Sequence, residues 1–237
     1  MPSGYFKFKH FTVNQERAVF KVTTDSVLLG AWADIEDAGT ILDIGTGTGL
    51  LALMAAQRSG ARIVAIEPDR ESFLQAGLNF AASPWKERIT LLNTSVQDFY
   101  PESGSGFDAI ISNPPYFIDS LPNPDANKAR ARHTITLSQA DLLGTVVRLL
   151  NPGGSLHLVL PVTEAADFLS LTFDYGLFCC RRMLVRPTPS HQPSRALMTL
   201  GRDAGQCVEE EMVIEKGGRH NYSDEYVSLI KDFYLKF

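Results

Sequence analysis

The chain has 237 residues, of which 44% are hydrophobic and 21% charged, with 18 Gly and 13 Pro; this composition fits a globular protein and excludes collagen-like, disordered and disulfide-scaffold classes. Acidic residues (27) outnumber basic ones (22), for a formal charge of -5, so bulk charge supplies no attraction to nucleic acid or an anionic membrane, and a polyanion can bind only at a local patch. Three cysteines, Cys179 beside Cys180 and Cys207 alone, offer neither a paired framework nor metal-ligand spacing, which points to a reducing compartment and to no metal. The stretch from Met1 to Arg17 lacks the apolar core and cleavage site of a signal peptide, and no apolar run approaches membrane-spanning length. A soluble, cytoplasmic protein that does not bind membranes is expected.

In chain order, residues 1–33 precede the first predicted strand. Ile41 to Ile44, Arg62 to Glu67, Ile89 to Leu92 and Phe107 to Ser112 are short apolar runs rich in β-branched residues, the pattern of strands buried on both faces. Helices are expected between them, from Leu50 to Ser59 and from Asp69 to Ala82, the second ending just before Ser83-Pro84. Residues 114–137, with prolines at 114, 115, 122 and 124, read as a long loop on the substrate side. Ser138 and Asp141 then form a capping box for a helix to Leu150, stopped by Asn151-Pro152-Gly153-Gly154. Leu156 to Leu160 alternates as a strand, Thr163 to Tyr175 reads as a helix, and Phe178 to Arg186 and Ala196 to Leu200 read as two final strands without an intervening helix, hence an antiparallel pair. A capped helix from Ser223 to Phe233 ends the chain. Alternating strands and helices define an α/β fold on a mostly parallel sheet, and residues 1–237 read as one domain.

Asp43-Ile44-Gly45-Thr46-Gly47-Thr48-Gly49 falls where the first strand gives way to a helix, at the sheet edge where open α/β folds bind ligands. The spacing is GxGxG rather than the GxGxxG of dinucleotide sites, and Asp43 puts negative charge where a pyrophosphate would lie. A ligand carrying an ammonium or sulfonium is favoured. Glu67, 18 residues beyond Gly49 at the end of the next strand, is placed to accept hydrogen bonds from two ribose hydroxyls. A ribose with a cationic amino-acid arm and no phosphate describes S-adenosylmethionine.

Asn113-Pro114-Pro115-Tyr116 follows the fourth strand, which lies beside the first in the usual winding of such sheets. An exocyclic purine amine or a carboxamide nitrogen is a poor nucleophile because its lone pair is delocalised. The Asn113 side-chain oxygen and the Pro114 carbonyl can accept both amine hydrogens and favour a pyramidal nitrogen, while Tyr116 offers a stacking face.

The glycine loop together with Asn113-Pro114-Pro115-Tyr116 resembles the class I, Rossmann-like, S-adenosylmethionine-dependent methyltransferases that act on amino groups. Phe6-Lys7-Phe8-Lys9-His10-Phe11-Thr12-Val13, Lys21-Val22-Thr23-Thr24-Asp25, Leu29-Gly30-Ala31-Trp32, Tyr226 and Lys231-Asp232-Phe233-Tyr234-Leu235 are similar to the bacterial tRNA(Val) adenine-N6 methyltransferase family, nearly end to end. The resemblance implies a seven-stranded, mostly parallel sheet with an antiparallel last strand. It also implies methylation of the adenosine immediately 3′ of the anticodon. On it, Asn113, Pro114 and Tyr116 hold the adenine; Asp43, Gly45, Gly47 and Gly49 hold the methionine moiety and Glu67 the ribose; Thr24, Ser95, Val96 and Asn113 adjoin the cofactor. Ser95 stands where many relatives carry an aspartate, so Ser95, Asp98 or the backbone alone is left to meet the cofactor's adenine.

Residues 1–33 carry four basic against two acidic side chains, with Lys7 and Lys9 among aromatics, which suits a tRNA-gripping arm or a solvated strand. Lys128, Arg130 and Arg132 lie in the loop after Tyr116, placed for phosphates flanking a flipped base. Arg181, Arg182 and Arg186 with His191 and Arg195 form a third basic group, or only an exposed strand face, and His157 in an apolar strand reads as a core residue. Two other functions use the same motifs. A protein glutamine N5-methyltransferase of release factors clamps a carboxamide, but 40 residues before the first strand leave little room for its usual helical domain. A non-catalytic cofactor-binding RNA module has no need to keep Asn113 and the glycines.

Overall fold

The computed structural model describes residues 4–101, 106–115 and 137–237. A small antiparallel hairpin, β1 (Tyr5–Lys7) and β2 (Thr12–Asn14), opens the chain and leads to helix α1 (Thr24–Trp32), whose first turn is capped by the Thr23 side chain. Then come β3 (Thr40–Ile44), α2 (Leu50–Arg58), β4 (Arg62–Ile66), α3 (Arg70–Ala81), β5 (Ile89–Leu92) and β6 (Phe107–Ser112). Helix α4 (Gln139–Leu149), strand β7 (Leu150–Pro161), α5 (Val162–Thr172), β8 (Phe178–Arg186), β9 (Arg195–Gly201), β10 (Val208–Val213) and α6 (Asp224–Ile230) complete the described elements.

The main sheet has eight strands in the order β10-β8-β9-β7-β6-β3-β4-β5. Only β9 runs against the others, antiparallel to both β7 and β8. The expected antiparallel pair is present, and an eighth strand lies beyond it. This edge strand, Val208-Glu209-Glu210-Glu211-Met212-Val213, lies parallel to β8 and has no apolar alternation to announce it. Its glutamates meet the arginines of β8: Glu209 with Arg182, Glu210 with Arg181 and Glu211 with Arg186. The third basic group is therefore neutralised across a strand pair, and Arg195 is paired with Asp25 at 2.7 Å.

Side chains alternate across the sheet as the pleat requires. On β3, Ile41 enters one apolar cluster with α1, α2 and the hairpin, while Leu42 and Ile44 enter the other with α4 and Phe168 of α5. His157 is fully buried, with Ser155 Oγ at 2.9 Å from Nε2 and Thr199 Oγ1 at 3.0 Å from Nδ1; burial lowers its pKa to about 4, so it is a neutral core residue. The chain's two ends meet: Phe8 packs against Tyr234, and the Lys9 ammonium donates to the backbone oxygens of Lys231 and Phe237, each at 2.7 Å. Two buried amides, Gln75 and Asn79 on α3, fasten the segment after β1: Gln75 Oε1 accepts from Arg17 N, and Asn79 exchanges hydrogen bonds with the Asn14 backbone.

Candidate active site

β3 and β6 are neighbours in register Ile44↔Ser112, so the glycine loop and Asn113 leave the sheet side by side at its carboxyl edge. There the structure holds a cavity of about 500 Å³, a size ordinary for small-molecule sites. Its floor and walls include Gly45, Gly47, Glu67, Ser26, Asn113 and Pro114, with Phe20, Lys21 and Val22 along one side.

The loop's amides are turned inward. Gly45 N and Thr46 N both donate to Ile66 O, Gly49 N donates to Thr46 O, and Gly47 N donates to Glu67 Oε2 at 2.8 Å. A phosphate needs those donors, so the loop is not an anion cradle, in agreement with the reading of its spacing. Gly47 has φ +57°, and a Cβ there would meet nothing nearer than Gly45 O at 3.9 Å, so only conformation restricts the residue and the space above it is open. Gly49 is different. At φ +85° its missing Cβ leaves room for Phe80, whose Cε1 would lie 2.4 Å from it, and it does not line the cavity. The close approach of Phe80 is what requires glycine here.

Asp43 is fully buried beneath the loop and also does not line the cavity. Its Oδ2 accepts from Thr46 Oγ1 at 2.5 Å and from Ala52 N at 3.1 Å, tying loop to helix, while Oδ1 has no hydrogen-bond partner. Burial pushes its pKa up to about 7, against the lowering effect of those two bonds. Glu67, 5% exposed, does line the cavity, and its oxygens accept from Gly47 N and Asp69 N. Burial raises it to about 7 as well. Two buried carboxylates with an orphaned oxygen, around an open glycine loop, suit a cationic ligand with hydroxyls. S-adenosylmethionine, with its sulfonium, ammonium and ribose, fits that chemistry.

Asn113 Nδ2 donates to Ser26 Oγ at 2.8 Å, a contact between residues 87 positions apart. This places the α1 amino end against the cavity through Thr23, Asp25 and Ser26, whereas Thr24, the residue expected there, is exposed and does not line it. Ser95 and Val96 also stand apart. The Ser95 hydroxyl donates to Asp98 Oδ2 at 2.7 Å, so those two candidates are joined to each other and neither lines the cavity, and Val96 is buried in the core cluster behind the sheet. Lys7 is exposed on β1, whereas Lys9 is engaged by the chain's far end. Tyr116, Lys128, Arg130 and Arg132 lie outside the described residues. The run Thr23 to Ser26 reads as a helix cap, which it also is, in a turn that the family resemblance sets against the cofactor, whereas the Ser26–Asn113 bond and the Phe20 wall carry no sequence signal.

The sheet order, the glycine loop and the paired acids define a class I S-adenosylmethionine-dependent methyltransferase. The methyltransferase small domain family model matches residues 11–173. The tRNA1(Val) (adenine(37)-N6)-methyltransferase of Phocaeicola vulgatus is 45% identical over 235 residues, 99% of each chain, and that of Parabacteroides distasonis 44% identical over 236 residues, 100% of each. The chain belongs to the tRNA1(Val) (adenine(37)-N6)-methyltransferase family. Among solved structures, its fold is similar to a predicted O-methyltransferase of Agrobacterium tumefaciens (TM-score 0.64, 19% identity, 88% of this chain and 96% of that one). It is also similar to the ribosomal protein L11 methylase of Lactobacillus delbrueckii (TM-score 0.58, 18% identity, 81% and 84%). Among the described residues, no helix is long and apolar enough to cross a membrane, and no group of three or more His, Cys, Asp or Glu is placed to hold a metal.

Proposed function

We propose that this chain methylates N6 of adenine 37 in a valine tRNA in the cytoplasm, the activity named for its 44–45% identical relatives. The observation that carries the reading is Asn113 at the cavity wall beside Gly45, with its side-chain nitrogen committed to Ser26. Oδ1 is then the atom left to accept a hydrogen from the exocyclic amine. Pro114, buried at the same wall, brings a second acceptor in its carbonyl and is followed by Pro115, so the backbone there is stiff.

S-adenosylmethionine, when bound, supplies a methyl group on a positively charged sulfur. The chain's residues do the rest. Glu67 accepts hydrogen bonds from the ribose, using lone pairs not occupied by Gly47 and Asp69, and Asp43 sets a negative potential under the loop. Asn113 and Pro114 orient the amine so that its lone pair leaves the ring plane, which matters more than a strong base because the nitrogen sheds its proton during or after transfer. Tyr116 stacks on the extruded base, and Lys128, Arg130 and Arg132 meet the flanking phosphates, roles that rest on sequence alone.

The test is nucleoside mass spectrometry of purified valine tRNA from cells with and without the protein, followed by methylation of the unmodified tRNA in vitro. N6-methyladenosine is expected only where the protein is present. Equal amounts in both cell types, with no transfer in vitro, overturn the reading.

A further inference from the structure

Asn113 and Ser26 come from opposite ends of the fold's first half, yet they meet at 2.8 Å on the wall of the cavity. Ser26 lies in the first turn of α1, and the residues that follow it, Val27, Leu28 and Leu29, are almost completely buried, so its backbone is held by the core. Thr23 Oγ1 accepts the Ser26 amide at 3.2 Å and lies 3.2 Å from the Ser26 hydroxyl. With the hydroxyl hydrogen directed at Thr23, the lone pairs of Ser26 Oγ face the Asn113 amide.

A carboxamide can turn over, exchanging its oxygen and its NH₂ at little intrinsic cost. The two orientations have opposite chemical meanings here. With oxygen toward the cavity, Asn113 accepts an amine hydrogen; with NH₂ toward it, two donors confront two donors. Whatever fixes the amide decides whether the residue helps or hinders. We infer that Ser26 is the positioning residue for Asn113: its hydroxyl accepts Nδ2–H and holds the amide oxygen toward the amine to be methylated. The inference rests on the function proposed above. Ser26 touches neither reacting atom, so its contribution is to the fraction of enzyme with the amide correctly turned, and it acts on the rate of transfer at saturation rather than on cofactor affinity.

The test uses the full chain, unmodified valine tRNA and S-adenosylmethionine, with single-turnover rates measured at saturation. Ser26→Ala is expected to lower the rate about tenfold, the scale of one lost hydrogen bond, while the KM for tRNA and the Kd for cofactor stay within about twofold. Ser26→Thr, which keeps the hydroxyl, is expected to restore most of the rate. In an Asn113→Ala background the Ser26→Ala change is expected to do nothing further, since a residue acting through Asn113 has nothing left to position. A Ser26→Ala rate equal to the parent's overturns the inference, as does a loss that appears in cofactor affinity instead of rate, or one that multiplies with that of Asn113→Ala. These outcomes leave the proposed function standing. A parental protein that transfers no methyl to tRNA removes the function, and the inference with it.

Discussion

The Glu67 carboxylate holds the Gly47 amide at 2.8 Å, across 20 residues and between two neighbouring strand ends. The same carboxylate caps Asp69 N at 2.9 Å. The acid that lines the cavity thus also fixes the glycine loop, and loop shape and the cavity's acidic wall cannot be varied independently at this point.

Glu67→Gln keeps one carbonyl oxygen for two backbone amides and turns an NH₂ toward the other. The expected result is a rise of about 10- to 100-fold in the cofactor Kd, equivalent to about 1–3 kcal/mol. Calorimetric titration checks this, and an unchanged Kd removes Glu67 from the site.

Asp43→Asn separates stability from binding. Both bonds to Asp43 end on Oδ2, so a single amide oxygen can keep them, while the buried charge disappears. At about pH 8, above both raised pKa values, the ligand-free variant should melt no lower than the parent, yet bind S-adenosylmethionine at least about tenfold more weakly. A variant that binds as tightly as the parent shows that the negative potential is irrelevant.

The raised pKa values give a pH dependence with a definite sign. Asp43 moves from 3.8 to about 7 and Glu67 from 4.5 to about 7, so between those limits the folded, ligand-free protein binds more protons than the unfolded chain. Their contribution to stability is most favourable below about pH 4 and declines as the pH rises to about 7. Cofactor affinity should run the other way, increasing from about pH 5.5 to 7 with proton release on binding. Titrations in buffers of different ionisation enthalpy measure that release; its absence means both groups are already ionised.

The two glycines make a matched pair. Gly47→Ala meets open space and carries only the conformational penalty, about 1 kcal/mol, whereas Gly49→Ala adds a clash with Phe80 and should cost about 2–4 kcal/mol of stability. Gly47→Asp should instead leave the fold intact and abolish cofactor binding. Thermal melts with and without S-adenosylmethionine distinguish these cases. Equal losses for Gly47→Ala and Gly49→Ala count against the packing role given to Gly49.

Asn113→Ala removes the acceptor without touching the acids. Its single-turnover rate on tRNA should fall about 100-fold or more with cofactor affinity nearly unchanged. A parental rate would mean that the amine is oriented by something else.

What was legible in the sequence is what backbone chemistry demands. Buried parallel strands need continuous β-branched runs, and a loop that leaves a strand with three left-handed residues needs glycine at Gly45, Gly47 and Gly49. Class could be read from those residues with Asp43, Glu67 and Asn113. Individual contacts could not, because a residue type does not say which neighbour it serves. Gly49 looks like Gly47 in a motif, and only Phe80, 31 positions later, tells them apart. Ser26 carries the signature of a helix start, which hides its bond to Asn113. The β10 strand was missed for an electrostatic reason: three successive glutamates resemble a solvated loop until Arg181, Arg182 and Arg186 are found beside them, and those same arginines, without their partners, resemble a nucleic-acid patch.

The clasp at Lys9 bears on how the protein is made. Its partners Lys231 and Phe237 lie 222 and 228 residues further along, so while the chain is being synthesised the hairpin can dock on α3 through Asn79 long before the Lys9 clasp can close. Residues 19–22, which follow that hairpin and wall the cavity, lie between the α3 anchorage and helix α1, with Val22 N donating to Gln15 Oε1. Contacts over such separations are slow to close. A nascent chain can assemble its central strands and seat the hairpin on α3 first, and the clasp at Lys9 closes only after the region of Lys231 has emerged.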